Sequence, residues 1–220
     1  MTIDKIFVIH HPSLIDRKEY MDKVLPKFKI PYEYVCKYTQ DSPEIFDPLY
    51  IDTSEKNRNK KNSKLIGDKL SASLILNNLK ACCLEHYSII SEFAKGTYKN
   101  ILILQDDIVF DENFPGFDAY TDVLPEDYDV LYMSNCCGTK LQYTTNKILD
   151  IQPLRASNAG GAYMISKKAA KIIDEHALPL FCNWDWEMNC LQMFFKMNVY
   201  WVKDFLLYDG SEIGTYKRCY

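Results

Sequence analysis

At 220 residues, with 47% hydrophobic and 14% aromatic content, the chain is long enough to bury a substantial core and too apolar to be disordered. A formal net charge of −4 argues against a nucleic-acid binder, whose balance is ordinarily basic. No apolar run approaches the roughly 18 residues of a membrane span, and the opening MTIDKIFVIHH has no signal-peptide layout, so we expect a single domain over 1–220, located in the cytoplasm.

In chain order, KIFVIHHP predicts a short strand ending at His10-His11-Pro12. SLIDRKEYMDKVLPKF predicts a helix capped by Ser13, with Leu14, Ile15, Met21, Val24 and Leu25 at helical spacing. YEYVCKY is a second strand, rich in aromatic and β-branched residues. Together these make β-α-β, the start of a doubly wound sheet. The polar, basic stretch DTSEKNRNKKNSKLIGD has no apolar period and reads as a surface loop, with a lid over anionic phosphates as the alternative.

From Leu70 to Phe93 the pattern is helical, with Ala72, Ile75, Leu76, Leu79, Cys83, Ile90 and Phe93 as the core stripe. Ser73, Asn77 and Lys80 fall on another face, at i, i+4 and i+7. YDVLYMS and GGAYMIS read as strands, and Ser166 caps the helix KKAAKIIDEH. The helix WEMNCLQMFFKM, the strand VYWV and the segment YDGSEIGTYKRCY complete the chain. The eight cysteines include two adjacent pairs but no Cys-x-x-Cys spacing, so all are read as reduced.

The segment with the most chemistry is NILILQDDIVFDENF. Ile101 to Leu104 read as a strand buried on both faces, and unpaired charge inside a core costs several kcal/mol. Asp106 and Asp107 therefore belong at the strand's C-terminal end, which is where open α/β sheets bind ligands. This suggests a metal or phosphate site; the alternative is a strand end that simply faces water.

Several of these segments together resemble glycosyltransferase family 25, the lipopolysaccharide and collagen-type galactosyltransferase group, and the small virus-encoded glycosyltransferases related to it. IFVIHHPSLIDRKEYMDKVLPKFKIPYEYV is similar to the family's opening strand, arginine-bearing helix and second strand. SASLILNNLKACCLEHYSIISEFAKGTYKNILILQDDIVFDENF is similar to its helix, apolar strand and Glu-Asp-Asp, and NAGGAYMISKKAAKII to its Gly-x-x-x-Tyr-x-x-Ser segment and helix. The resemblance implies a GT-A fold, an α/β single domain with a mixed, mostly parallel sheet flanked by helices. It also implies a nucleotide-sugar donor, usually a UDP-sugar, a glycan or glycoprotein acceptor, and Mn²⁺ or Mg²⁺.

The sequence departs from the family pattern at Gln105, where the family has its first acidic residue. If strand alternation persists, Gln105 and Asp107 face the metal together and Asp106 faces the ribose. Asp107 then carries the metal, because an amide is a poorer ligand for a hard cation. Asp209, in YDGSE, reads as a turn residue, and the resemblance makes it a second metal ligand. His10, Arg17, Ser73, Asn77 and Lys80 are further donor-binding candidates, with Arg17 suited to a diphosphate.

For the acceptor hydroxyl, Asp185 in NWDWEMN is the expected general base, between Trp184 and Trp186, whose rings could stack on a sugar. Its alternative role is to N-cap the following helix. Two rival functions remain at this stage: a metal-dependent phosphohydrolase, and a sugar-nucleotide or carbohydrate binder without catalysis. The phosphohydrolase would place an acid two residues beyond its nucleophile, where Ile108 and Val109 stand.

Overall fold

The computed structural model describes residues 1–52, 54, 77–135, 151–153, 160–203 and 205–217. The β-α-β start forms as expected: β1 (Lys5–Ile9), α1 (Ile15–Val24) and β2 (Tyr32–Val35), with β1 and β2 parallel. Further on come α2 (Asn77–Lys95), β3 (Asn100–Gln105), β4 (Ile108–Phe110) and a single turn of helix, α3 (Asp118–Thr121). The strands β5 (Val130–Tyr132), β6 (Ser134–Asn135), β7 (Ile151–Pro153) and β8 (Ala162–Ser166) follow. Helices α4 (Lys167–His176) and α5 (Trp184–Phe194) precede β9 (Val199–Val202) and β10 (Leu207–Asp209).

Seven strands form one sheet in the order β2-β1-β3-β8-β5-β9-β7, and β4-β10-β6 form a small second sheet. The large sheet is mixed: β2, β1, β3, β5 and β9 run one way, β8 and β7 the other. With helices against it, this is the α/β arrangement expected of a GT-A chain.

Ile101 to Leu104 of β3 lie between β1 and β8 and are each 0% exposed, buried on both faces as their unbroken apolar run implies. Ile101 and Ile103 join the core cluster that holds Cys83, Ile90 and Phe93 of α2 and Ile173 of α4. Leu102 and Leu104 join the other, with Met21 and Leu25 from the α1 side. The sheet therefore separates two apolar layers, and its interior strand β3 delivers residues 105–107 to the edge of both.

Several local expectations need correction. Ser13 does not cap α1; its hydroxyl pairs with His11 Nδ1 at 2.7 Å, and Leu14 occupies the cap position without a side-chain bond. Ile15 is 65% exposed, and α1 instead buries Arg17 beside Met21. Ser166 does cap α4, its Oγ accepting from Ala169 N at 3.1 Å. Cys36, Cys82, Cys83, Cys182 and Cys190 are free thiols. Apart from Asp52 and Ser54, the basic loop lies outside the described residues, as do Ser73 and the rest of the stretch to residue 76. No helix among the described residues is long and apolar enough to cross a membrane.

Candidate active site

The C-terminal ends of β1 and β3, the loop after β2, α2 and the turn after β10 border a cleft of about 760 Å³. Six of the expected site residues line it: His10, Arg17, Gln105, Asp106, Asp107 and Asp209.

Asp106 is buried and commits both carboxylate oxygens to the protein. Oδ2 lies 2.8 Å from His10 Nδ1, and Oδ1 accepts from Arg17 Nη1 at 2.9 Å. Asp106 is thus held from both sides inside the protein, while His10 Nε2, also buried, has no hydrogen-bond partner among the described residues. The Arg17 fork, a diphosphate candidate in the sequence, clasps the chain's late segment. Its Nη2 donates to the Lys217 carbonyl at 2.9 Å and to Ser211 Oγ at 3.3 Å, and its guanidinium lies 5.1 Å over Tyr216. A buried guanidinium is tolerable here because Asp106 and Asp107 neutralise it, the latter at 3.5 Å.

Strand alternation stops two residues earlier than expected. β3 ends at Gln105, and residues 106 and 107 form a turn into β4. Gly210 N donates to the Asp107 carbonyl at 2.7 Å, holding that turn against the end of β10. A Cβ at position 210 would stand 2.7 Å from this carbonyl oxygen and 2.6 Å from the Tyr216 ring, so the approach requires glycine. As a result Asp107 turns toward Arg17 and Ser211, and does not face the same way as Gln105. Gln105 lies against α2, with Nε2 at 3.2 Å from His86 Nε2 and 3.6 Å from Cys82 Sγ.

Asp107 Oδ2 accepts from Ser211 Oγ at 2.6 Å, but its Oδ1 is buried with no hydrogen-bond partner among the described residues. Burial pushes this carboxyl above its usual range; the Ser211 bond opposes that and the Asp209 charge reinforces it. Asp209 uses Oδ1 to accept from Ser211 N at 2.9 Å and Glu212 N at 3.0 Å, which is the turn foreseen for YDGSE. An orphaned buried carboxylate oxygen within electrostatic reach of a second carboxylate fits a hard divalent cation. No group of three or more His, Cys, Asp or Glu able to hold a metal occurs among the described residues.

Asp185 lies in the first turn of α5, and Asn183 rather than Asp185 stands at the N-cap position. Burial raises its carboxyl to about 6, a Gly160 backbone N–H working against the shift and the Asp209 charge adding to it. The chain at Gly160 comes so near that a Cβ there would stand 2.5 Å from Asp185 Oδ1. Of the two flanking tryptophans, Trp184 is a core residue whose Nε1 donates to Tyr163 Oη at 3.1 Å, and Trp186 is 38% exposed. The stacking pair expected from the sequence is thus reduced to Trp186. Glu187 is buried, accepting from Phe181 N at 3.1 Å, and so holds the loop before α5.

Lys80 sits with its ammonium 5.7 Å from the Phe46 ring and does not appear among the cleft's lining side chains. Asn77 begins α2 as described. Sequence reasoning missed His86, Tyr163, Ser211 and Tyr216, which touch the candidate residues; only the long-range packing brings them there.

The model of glycosyltransferase family 25 (LPS biosynthesis protein) matches residues 3–185. The chain belongs to glycosyltransferase family 25. The family match takes in His10, Arg17 and 105–107 and ends at Asp185, so Asp209 and the clasping segment lie beyond it. No curated protein matches this family 25 chain. Among solved structures it resembles A197 from STIV, at 13% identity over 94% of this chain and 83% of that one, with a TM-score of 0.46. It also resembles a glycosyltransferase involved in the glycosylation of the major capsid of PBCV-1, at 13% identity, 94% and 92% coverage and a TM-score of 0.49. A third likeness is the apo-form glycosyltransferase GlyE of Streptococcus pneumoniae TIGR4, at 15% identity and a TM-score of 0.41; the match covers 90% of this chain and 45% of GlyE.

Proposed function

We propose that this family 25 glycosyltransferase moves a sugar from a UDP-sugar to a hydroxyl of a glycan or glycoprotein, with inversion at the anomeric carbon. The observation that carries the reading is the buried Oδ1 of Asp107, unpartnered among the described residues and beside Asp209, at the wall of a cleft large enough for a nucleotide sugar. Asp107 and Asp209 are the residues that would hold Mn²⁺ or Mg²⁺. When bound, the cation supplies positive charge against the departing diphosphate.

The protein's own groups do the rest. Asp106 fixes His10 and Arg17, and His10 Nε2, a buried polar atom without a partner among the described residues, is assigned to the donor nucleotide. Asp185 is not among the cleft's lining residues, so the acceptor is assigned to its own side of the site; its carboxyl, raised to about 6, has the basicity for a base near neutral pH. It takes the acceptor's hydroxyl proton as that oxygen bonds to the anomeric carbon. The bond from that carbon to the diphosphate oxygen breaks, and its electron pair leaves on the diphosphate. Trp186 offers an exposed ring to the acceptor sugar.

A panel of UDP-sugars with Mn²⁺ tests this, read as thermal shift and as UDP release. The expected result is one sugar that raises the melting temperature and is slowly hydrolysed without acceptor. Turnover of simple phosphate esters, with no response to any UDP-sugar, contradicts it.

A further inference from the structure

Behind Gln105 stands a chain of buried hydrogen-bonding groups that the transfer reaction as described does not use. Trp184 Nε1 lies 3.1 Å from Tyr163 Oη, Tyr163 Oη 2.9 Å from His86 Nδ1, and His86 Nε2 3.2 Å from the Gln105 amide. His86 and Tyr163 are each 0% exposed, and the imidazole stacks on the Trp184 indole at 5.3 Å with 2° between the planes. The geometry points to a directional relay in which His86 is a positioning residue that turns the Gln105 amide so that its NH₂ faces the cleft, as a hydrogen-bond donor to an oxygen of the nucleotide sugar.

The direction follows from counting protons. An indole nitrogen can only donate, so Tyr163 Oη accepts from Trp184. The tyrosine's own proton then needs an acceptor, and the one within reach among the described residues is His86 Nδ1. An imidazole that accepts at Nδ1 and is neutral carries its proton on Nε2. Burial depresses His86 to about 3, which keeps it neutral. The Nε2–H must therefore meet an acceptor, and the amide end that can accept is oxygen.

The two ends of an amide have the same shape, so the hydrogen bonds decide which end faces His86. With the carbonyl oxygen there, the same atom also lies by Cys82 Sγ, at the 3.6 Å contact. Burial raises the Cys82 thiol to about 12, so it remains S–H and donates weakly. The opposite arrangement, with NH₂ toward His86, needs the Nδ1–H tautomer and leaves the buried Tyr163 O–H without an acceptor. That costs the desolvation of a hydroxyl. The relay thus makes residue 105 a donor. It gives a physical meaning to glutamine where the family has an acid: the position serves an anionic or hydroxyl oxygen, and not the cation.

This inference rests on the nucleotide-sugar reading for its ligand, but the relay itself is tested without any ligand. Nitrogen-15 NMR of the imidazoles in the full chain, with His86→Gln identifying the signal by its loss, should show His86 as the neutral Nε2–H tautomer at pH 7. Tyr163→Phe should move that signal, and an Nδ1–H tautomer in the wild-type protein overturns the relay. For function, Gln105→Glu should weaken UDP or UDP-sugar binding in the presence of Mn²⁺ by about tenfold, the scale of one charge-assisted bond. Weakening with UDP places the acceptor oxygen on the diphosphate, and weakening confined to UDP-sugars places it on the sugar. Unchanged nucleotide affinity, or tighter Mn²⁺ binding by Gln105→Glu without nucleotide, overturns the donor role. If the wild-type protein shows the Nε2–H tautomer and binds no UDP ligand, the relay stands, but the nucleotide-sugar reading and the donor role fail.

Discussion

Asp106 and Asp107 are neighbours in sequence with opposite electrostatic situations. Asp106 has a cationic or imidazole partner on each oxygen, His10 at 2.8 Å and Arg17 at 2.9 Å. Asp107 holds one oxygen on Ser211 and keeps the other buried without a hydrogen-bond partner among the described residues. The first carboxylate is held at both oxygens, and the second at one.

The two should therefore respond differently to the same substitution. Asp106→Asn leaves Arg17 and His10 facing a neutral amide and should cost about 3 kcal/mol, the scale for breaking a buried ion pair. Asp107→Asn removes a charge that burial already disfavours, and in metal-free buffer should change stability by less than about 1 kcal/mol. Urea unfolding of both variants at pH 7 checks this, and equal losses would contradict it.

The second prediction concerns catalysis. Asp185→Asn keeps the shape of the side chain and removes its basicity, so turnover should fall by about a hundredfold or more. UDP affinity should barely change, since Asp185 is assigned to the acceptor side.

The same residue has a signature in pH. Its folded pKa of about 6 lies above the usual 3.8, so the folded state binds this proton more tightly than the unfolded chain does. That stabilisation is fully present below about 3.8 and is lost as pH rises through about 6. Compared with Asp185→Asn, the wild-type protein should lose up to roughly 3 kcal/mol between pH 4 and pH 7, at 1.36 kcal/mol per pKa unit. Unfolding in chelator at both pH values measures it; a variant whose stability tracks wild type throughout would contradict the shift.

Gly160→Ala probes how Asp185 is held. The added methyl would meet Asp185 Oδ1 at 2.5 Å, and a side-chain tip can swing aside at little cost. The expected outcome is at least about tenfold lower turnover, as for a displaced catalytic group, with the melting temperature nearly unchanged. A large loss of stability with full specific activity would mean the carboxylate's placement does not matter.

What could be read from the sequence was local. Ile101 to Leu104 announce a doubly buried strand because a strand in that position leaves no polar face, and Ser166 announces a cap because its hydroxyl reaches only three residues on. What could not be read was long-range. The Asp107 turn is held by Gly210, and Arg17 is buried by partners as distant in sequence as Asp106 and Lys217. An arginine on a short helix looks solvated until those partners are in place. Trp184 is a similar case, since an indole beside an acid looks like a sugar platform until Tyr163 and His86 stand behind it.

The central claim is that Asp107 and Asp209 form half of a cation site completed by a nucleoside diphosphate. Calorimetric titration of Mn²⁺ into the wild-type protein and Asp107→Asn, each with and without UDP, tests it most directly. The account predicts weak Mn²⁺ binding alone, tightening by about tenfold or more with UDP, as reciprocal coupling between two ligands allows, and loss of that tightening in Asp107→Asn. Equal Mn²⁺ affinity with and without UDP, or tightening that survives in Asp107→Asn, would contradict it.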